Sequence, residues 1–88
     1  MAEQLNTVIV GSKPIDNYVL AAIVLFNQGA EYIILKGRGP NISRAVDVYN
    51  ALKRRLGDAI ELSNVEIGSE QGSGGRTSFI KITLKRLI

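Results

Sequence analysis

The chain contains no cysteine, no histidine and no tryptophan. Without cysteine there is no disulfide, no thiolate nucleophile and no zinc–thiolate site. Without histidine the usual general base and the commonest metal ligand are missing. The eight acids are scattered, and no two form an obvious general acid/base pair. These absences argue against an enzyme and against a bound metal or cofactor. Long apolar runs are missing as well: the longest, Tyr18 to Phe26, has nine residues, far short of a membrane span. The start of the chain shows no basic stretch followed by an apolar one, so a cytoplasmic or chromosome-associated protein is expected.

What is present is a single small domain, residues 1–88. At this size a chain buries a little over ~60% of its unfolded surface, so burial against a partner would add to its stability. The net charge of +3 is unevenly placed. Residues 1–30 carry −1, residues 31–57 carry +4, and residues 58–88 balance four acids against four bases. Basicity confined to one segment is the footprint of a nucleic-acid face, with a solvated charged helix as the alternative.

The basic segment opens on Lys36-Gly-Arg-Gly-Pro-Asn-Ile-Ser-Arg44, where an apolar strand runs through a two-glycine turn into a helix. The first N–H groups of a helix have no internal partner and attract anions. Gly37 and Gly39 allow positive φ and a close approach, and Lys36, Arg38 and Arg44 add three full charges. A plain strand-to-helix connection with proline in the first helical turn would account for the same residues. The dinucleotide fingerprint fails, because Ile42 stands where its third glycine belongs, and the Gly-Lys-Ser/Thr ending of a P-loop is absent. A polyanion fits this turn better than a mononucleotide.

The periodicities give a β-α-β-α-β-β order. Thr7–Val10 is a β-branched run whose continuous apolarity predicts a strand covered on both faces. Pro14 and Asp16 open a helix that is apolar almost all round from Ile15 to Phe26 and is expected to be largely buried. Glu31–Gly37 is a second strand, parallel to the first. A second helix over Asn41–Leu56 places Ile42, Ala45, Val46, Tyr49, Leu52 and Leu56 on one stripe. It ends in Lys53-Arg54-Arg55, cations that offset the negative helix end, with a nucleic-acid contact as the second reading. Along Ile60–Gly68 the apolar phase slips between Leu62 and Val65, which predicts a bulge near Ser63-Asn64. In Thr77–Leu87, Ile80, Ile82 and Leu84 should face inward, with Phe79, Lys81, Thr83 and Lys85 outward. Ser69–Arg76, eight residues with three glycines, reads as a mobile hairpin loop longer than the usual two to five. With Arg76 at its base it is either an arm that orders on a ligand or an inert surface loop. Residues 1–5 read as a short frayed tail. The fold class is a two-layer α/β sandwich of one four-stranded mixed sheet and two helices.

Residues 10–22 (Val-Gly-Ser-Lys-Pro-Ile-Asp-Asn-Tyr-Val-Leu-Ala-Ala), 25–29 (Leu-Phe-Asn-Gln-Gly), 35–47 (Leu-Lys-Gly-Arg-Gly-Pro-Asn-Ile-Ser-Arg-Ala-Val-Asp) and 67–70 (Ile-Gly-Ser-Glu) resemble the Alba family of archaeal chromatin proteins in the same order. The resemblance implies the fold just read, similar to the C-terminal domain of bacterial initiation factor three. It implies a homodimer, or a mixed dimer with a paralogue, that coats and compacts double-stranded DNA with little sequence preference. By the same resemblance Lys13 would lie in the central groove region of the dimer, while Lys36, Arg38 and Arg44 would contact phosphates. The arm with Arg76 would follow the minor groove. Some relatives bind RNA, so an RNA-binding module of a ribonucleoprotein is the alternative. Family members often carry a lysine pair before the proline, one of which can be acetylated to weaken DNA binding; here Ser12-Lys13 leaves Lys13 as the position for such a modification. Pro40 replaces a common second arginine, the arm is shorter than the commoner form, and Leu56 stands where many members stack a phenylalanine between dimers. These departures suggest a divergent second paralogue. Outward Phe79, with Leu87 at the end of the last strand, is expected to supply interface surface.

Overall fold

The computed structural model describes residues 6–88, so the tail expected over residues 1–5 lies outside the described residues. Strand β1 (Asn6–Val10) leads through a short loop to helix α1 (Ile15–Asn27), strand β2 (Tyr32–Arg38), a 3-10 turn (Gly39–Asn41) and helix α2 (Ile42–Leu56). A second 3-10 turn (Gly57–Ala59) leads into the long strands β3 (Ile60–Gly72) and β4 (Gly75–Arg86). The sheet order is β1-β2-β4-β3, with β1 parallel to β2 and the other neighbours antiparallel. The β-α-β-α-β-β sandwich expected from the periodicities is the observed one.

Both helices lie on the same side of the sheet. Val8, Val10, Ile33, Leu35, Ile80, Ile82 and Leu84 meet Val19, Ala22 and Phe26 of α1 and Ala45, Val48 and Leu52 of α2 in one core. The β4 alternation is as read from sequence. The α2 stripe is turned slightly: Val48, absent from the expected set, is fully buried, while Ile42, Val46, Tyr49 and Leu56 flank it half-buried. In the last turn of the helix stands Lys53, whose Nζ donates to the carbonyls of Gly57 and Ile60 at 2.9 Å each. That cation therefore stabilises the helix terminus, while Arg54 and Arg55 are exposed.

One-sided coverage corrects two expectations. The strand β1 is not covered on both faces: Val8 and Val10 are buried, but Ile9 points to the helix-free side and is 61% exposed. Helix α1 is not largely buried, since Leu20 and Val24 face outward. A short apolar run or an all-apolar helix looks the same in sequence whether one or two faces are covered; among the described residues there is no second layer of helices to cover the other face.

Ser63 is the extra residue of the bulge expected in β3, with Leu62 opposite Leu84 and Asn64 opposite Thr83. The bulge restores phase, so Leu62, Val65 and Ile67 stand opposite Leu84, Ile82 and Ile80, on the helix side of the sheet. Neither helix packs extensively over β3, however, and the three remain 44%, 48% and 76% exposed.

The hairpin is the largest correction. Instead of an eight-residue mobile loop, the strands stay paired out to Gly72 opposite Gly75, joined by a turn at Ser73-Gly74. Polar and glycine-rich composition disfavours packing in a core, but this ladder draws on backbone pairing with a neighbouring strand, which local composition does not reveal.

Candidate nucleic-acid interface

The parallel strands β1 and β2 finish side by side, with Val10 opposite Gly37, so the loop before α1 adjoins the start of α2. Gly39 takes φ +56°, as a left-handed turn requires. Gly37 does not have positive φ; its lack of a side chain serves packing instead. A Cβ on Gly37 would sit 2.2 Å from the Asn41 carbonyl oxygen, so the first turn of α2 rests directly on the strand.

From that turn Arg44 reaches back across the loop. Its Nε donates to the Gly11 carbonyl at 2.7 Å and its Nη2 to the Lys13 carbonyl. On the other side the Tyr18 hydroxyl accepts from the Lys13 backbone N–H at 3.1 Å. The loop backbone is thus held at three points and the Lys13 side chain is presented to solvent. Arg44, expected as a phosphate ligand, has two of its guanidinium nitrogens occupied by the protein's own carbonyls.

Lys36 and Arg38 occupy alternate positions of β2 and project from the helix-free face. They converge on one carboxylate: Lys36 Nζ lies 3.3 Å from Glu70 Oε1, and Arg38 Nε lies 2.7 Å from Glu70 Oε2. The Phe79 ring lies beside them, over Gly68, with Lys36 Nζ at 5.4 Å and Lys81 Nζ at 5.6 Å from its centroid. Arg76 stands on the opposite face of the hairpin, where its Nε donates to Ser69 Oγ at 3.0 Å and its Nη2 to the Ser69 carbonyl at 3.2 Å.

Because β4 runs antiparallel to β2 with Phe79 opposite Arg38, the hairpin continues past the end of β2. Lys13, Lys36, Arg38, Arg44 and Arg76 therefore all lie toward one end of the sheet, though on different faces. The structure does not bring together Leu56, Phe79 and Leu87. Leu56 lines a cleft of about 200 Å³ with Phe26, Ile60 and Ile88 at the opposite end, Leu87 is exposed near it, and Phe79 covers Gly68 close to the arm. Sequence reasoning missed two features. Glu70 became a partner of Lys36 and Arg38 only through a register that spans three strands. The apolar edge of Leu62, Val65 and Ile67 was signalled by the bulge, but its exposure depended on where the helices end.

A four-stranded mixed sheet with two helices on one face, cations clustered where the first helices begin, and a two-stranded arm beyond them define a small α/β binding domain. Residues 6–69 match the model of the Alba family, and the chain belongs to that family. It is 52% identical over 88 residues to DNA/RNA-binding protein Alba 2 of Saccharolobus solfataricus, covering 99% of each chain. It is 44% identical over 86 residues to DNA/RNA-binding protein Alba of Methanocella arvoryzae, covering 92% of this chain and 90% of the relative. Among solved structures, Alba from Thermoplasma volcanium superposes with a TM-score of 0.83 at 40% identity, covering 92% of this chain and all of the other. The two sequence relatives are named for binding DNA and RNA, and neither for a reaction.

Proposed function

We propose that the protein is a sequence-nonspecific double-stranded DNA-binding protein of chromatin, acting as a dimer in the cytoplasm on the chromosome. The observation that carries this reading is the convergence of Lys36 and Arg38 on two oxygens of a single anion. A phosphodiester offers two non-bridging oxygens to the same pair, and phosphate contacts fix position without reading bases. The exposed edge of Leu62, Val65 and Ile67 is the surface on which a second copy, or a paralogue, would complete the burial that a small domain lacks. Leu56 and Leu87 are then left for contacts between dimers, and the exposed Lys13 for acetylation.

A salt titration tests the reading. Affinity for a duplex falls with log–log slope of about −0.9 per phosphate neutralised. All five candidate cations in both subunits would give roughly −9. Arg44 and Arg76 are held by uncharged oxygens of the protein, whereas the Glu70 carboxylate on Lys36 and Arg38 can exchange for a phosphate, so Lys13, Lys36 and Arg38 are counted and the expected slope is at most about −5. Indifference to potassium chloride, with mass showing a folded particle, would sink it.

An RNA-binding module of a ribonucleoprotein is the second reading, favoured by one observation. The helix-free face carries Tyr32, with one lysine ammonium within 6 Å of its ring, and Phe79, with two, the kind of aromatic surface on which unpaired bases stack. Competition between DNA and RNA duplexes of one sequence, and a single strand, separates the two.

A further inference from the structure

We infer that Glu70 is an internal stand-in for a nucleic-acid phosphate, which the incoming backbone must displace from Lys36 and Arg38. The inference rests on the phosphate reading of these two cations and adds the residue that sets their affinity. The carboxylate meets both cations at once, one oxygen to each, at 3.3 and 2.7 Å. It comes from the arm, on the same face as its cross-strand partner Thr77, so it lies over the end of β2 rather than beside it. The Lys36 side chain is only 20% exposed and that of Glu70 31%, so the pair is partly shielded from water, whereas Arg38 at 47% keeps an open flank. A phosphate approaching from that flank finds Arg38 first. It then competes with Glu70 for the Lys36 ammonium.

Two consequences follow for binding. The free protein carries preorganised cations with one of their two charges offset by Glu70, which lowers affinity for any polyanion without altering the fold. Binding also releases a carboxylate that takes up a salt cation, which cancels part of the counterion release from the duplex. Removing the charge while keeping the shape should reverse both.

The test is Glu70→Gln in the full chain, with Arg38→Ala and the double variant Glu70→Gln/Arg38→Ala. Each is titrated against one DNA duplex at several potassium chloride concentrations, with thermal melting as the check on folding. The expected result is binding about fivefold tighter for Glu70→Gln at ~0.1 M salt, with a salt slope steeper by about one per subunit, and a much smaller gain when Arg38 is already absent. Weaker binding by Glu70→Gln, at unchanged melting, would mean that the carboxylate holds the cations in their binding pose, and would overturn the inference. So would an unchanged affinity and slope. If Arg38→Ala binds as the wild type does, the phosphate reading itself fails; if Arg38→Ala weakens binding and Glu70→Gln does not strengthen it, only the displacement fails.

Discussion

Arg44 is expected to act as a positioning residue for Lys13, and two substitutions separate that role from simple charge. In Arg44→Ala, the Nε bond to Gly11 and the Nη2 bond to Lys13 are both lost. Hydrogen bonds from charged groups contribute about 1.5–3 kcal/mol when shielded. The Gly11 bond is partly buried and falls at the low end; the Lys13 bond is at the surface, where the freed carbonyl rehydrates and the loss is about a third of that. The sum is about 2 kcal/mol, which in a domain of this size lowers the melting temperature by roughly 8–16 °C. Arg44→Lys keeps the net charge but cannot present the planar fork to two carbonyls, so it should recover only about half of that loss. Circular dichroism melting measures the stability, amide hydrogen exchange at residues 11–13 measures the loop, and duplex binding at fixed salt measures function. Both variants should loosen the loop, and Arg44→Lys should bind less tightly than wild type despite its equal charge. Wild-type melting and exchange in Arg44→Ala, or full recovery of binding by Arg44→Lys, would contradict a positioning role and return Arg44 to the set of plain phosphate contacts.

If the proposed dimer forms on the apolar β3 edge, replacing Val65 or Ile67 by glutamate places a charge in it, and sedimentation should report a smaller particle than for the wild type at equal concentration. Arg38→Ala should weaken binding to all duplexes alike and reduce the salt slope by about one per subunit; a loss confined to one sequence would contradict a phosphate role. Phe79→Ala uncovers Gly68 and removes the ring beside Lys36 and Lys81, so urea unfolding should show a loss of about 1.5–2.5 kcal/mol, less than for a fully buried phenylalanine.

Much of the fold could be read along the chain because it is written in local period. Ile80, Ile82 and Leu84 alternate with Phe79, Lys81 and Thr83, and the slip of phase at Ser63 announces its own bulge. What could not be read depended on distant neighbours. Ile9 and Leu20 are exposed because of what is missing above them, and no property of β1 or α1 states that. The arm is ordered by a ladder running to Gly75, and glycines that look like slack in isolation are held there. At the site, the positions of Lys36 and Arg38 on one face followed from a spacing of two. The engagement of Arg44 did not, because its acceptors lie 33 and 31 residues earlier in the chain.

The bulge at Ser63 also fixes where the arm points. Nine residues separate it from Gly72, and at ~3.3 Å per residue the tip stands roughly 30 Å away. A bulge bends its strand and sharpens the local twist. Over that lever, a change in bend of about 10° swings the tip by ~5 Å, more than the ~3.4 Å axial rise per phosphate of one DNA strand. Deleting Ser63 would leave every downstream pairing and every face as it is, yet straighten the strand. The direction of the arm is therefore adjustable by a single exposed residue outside the core.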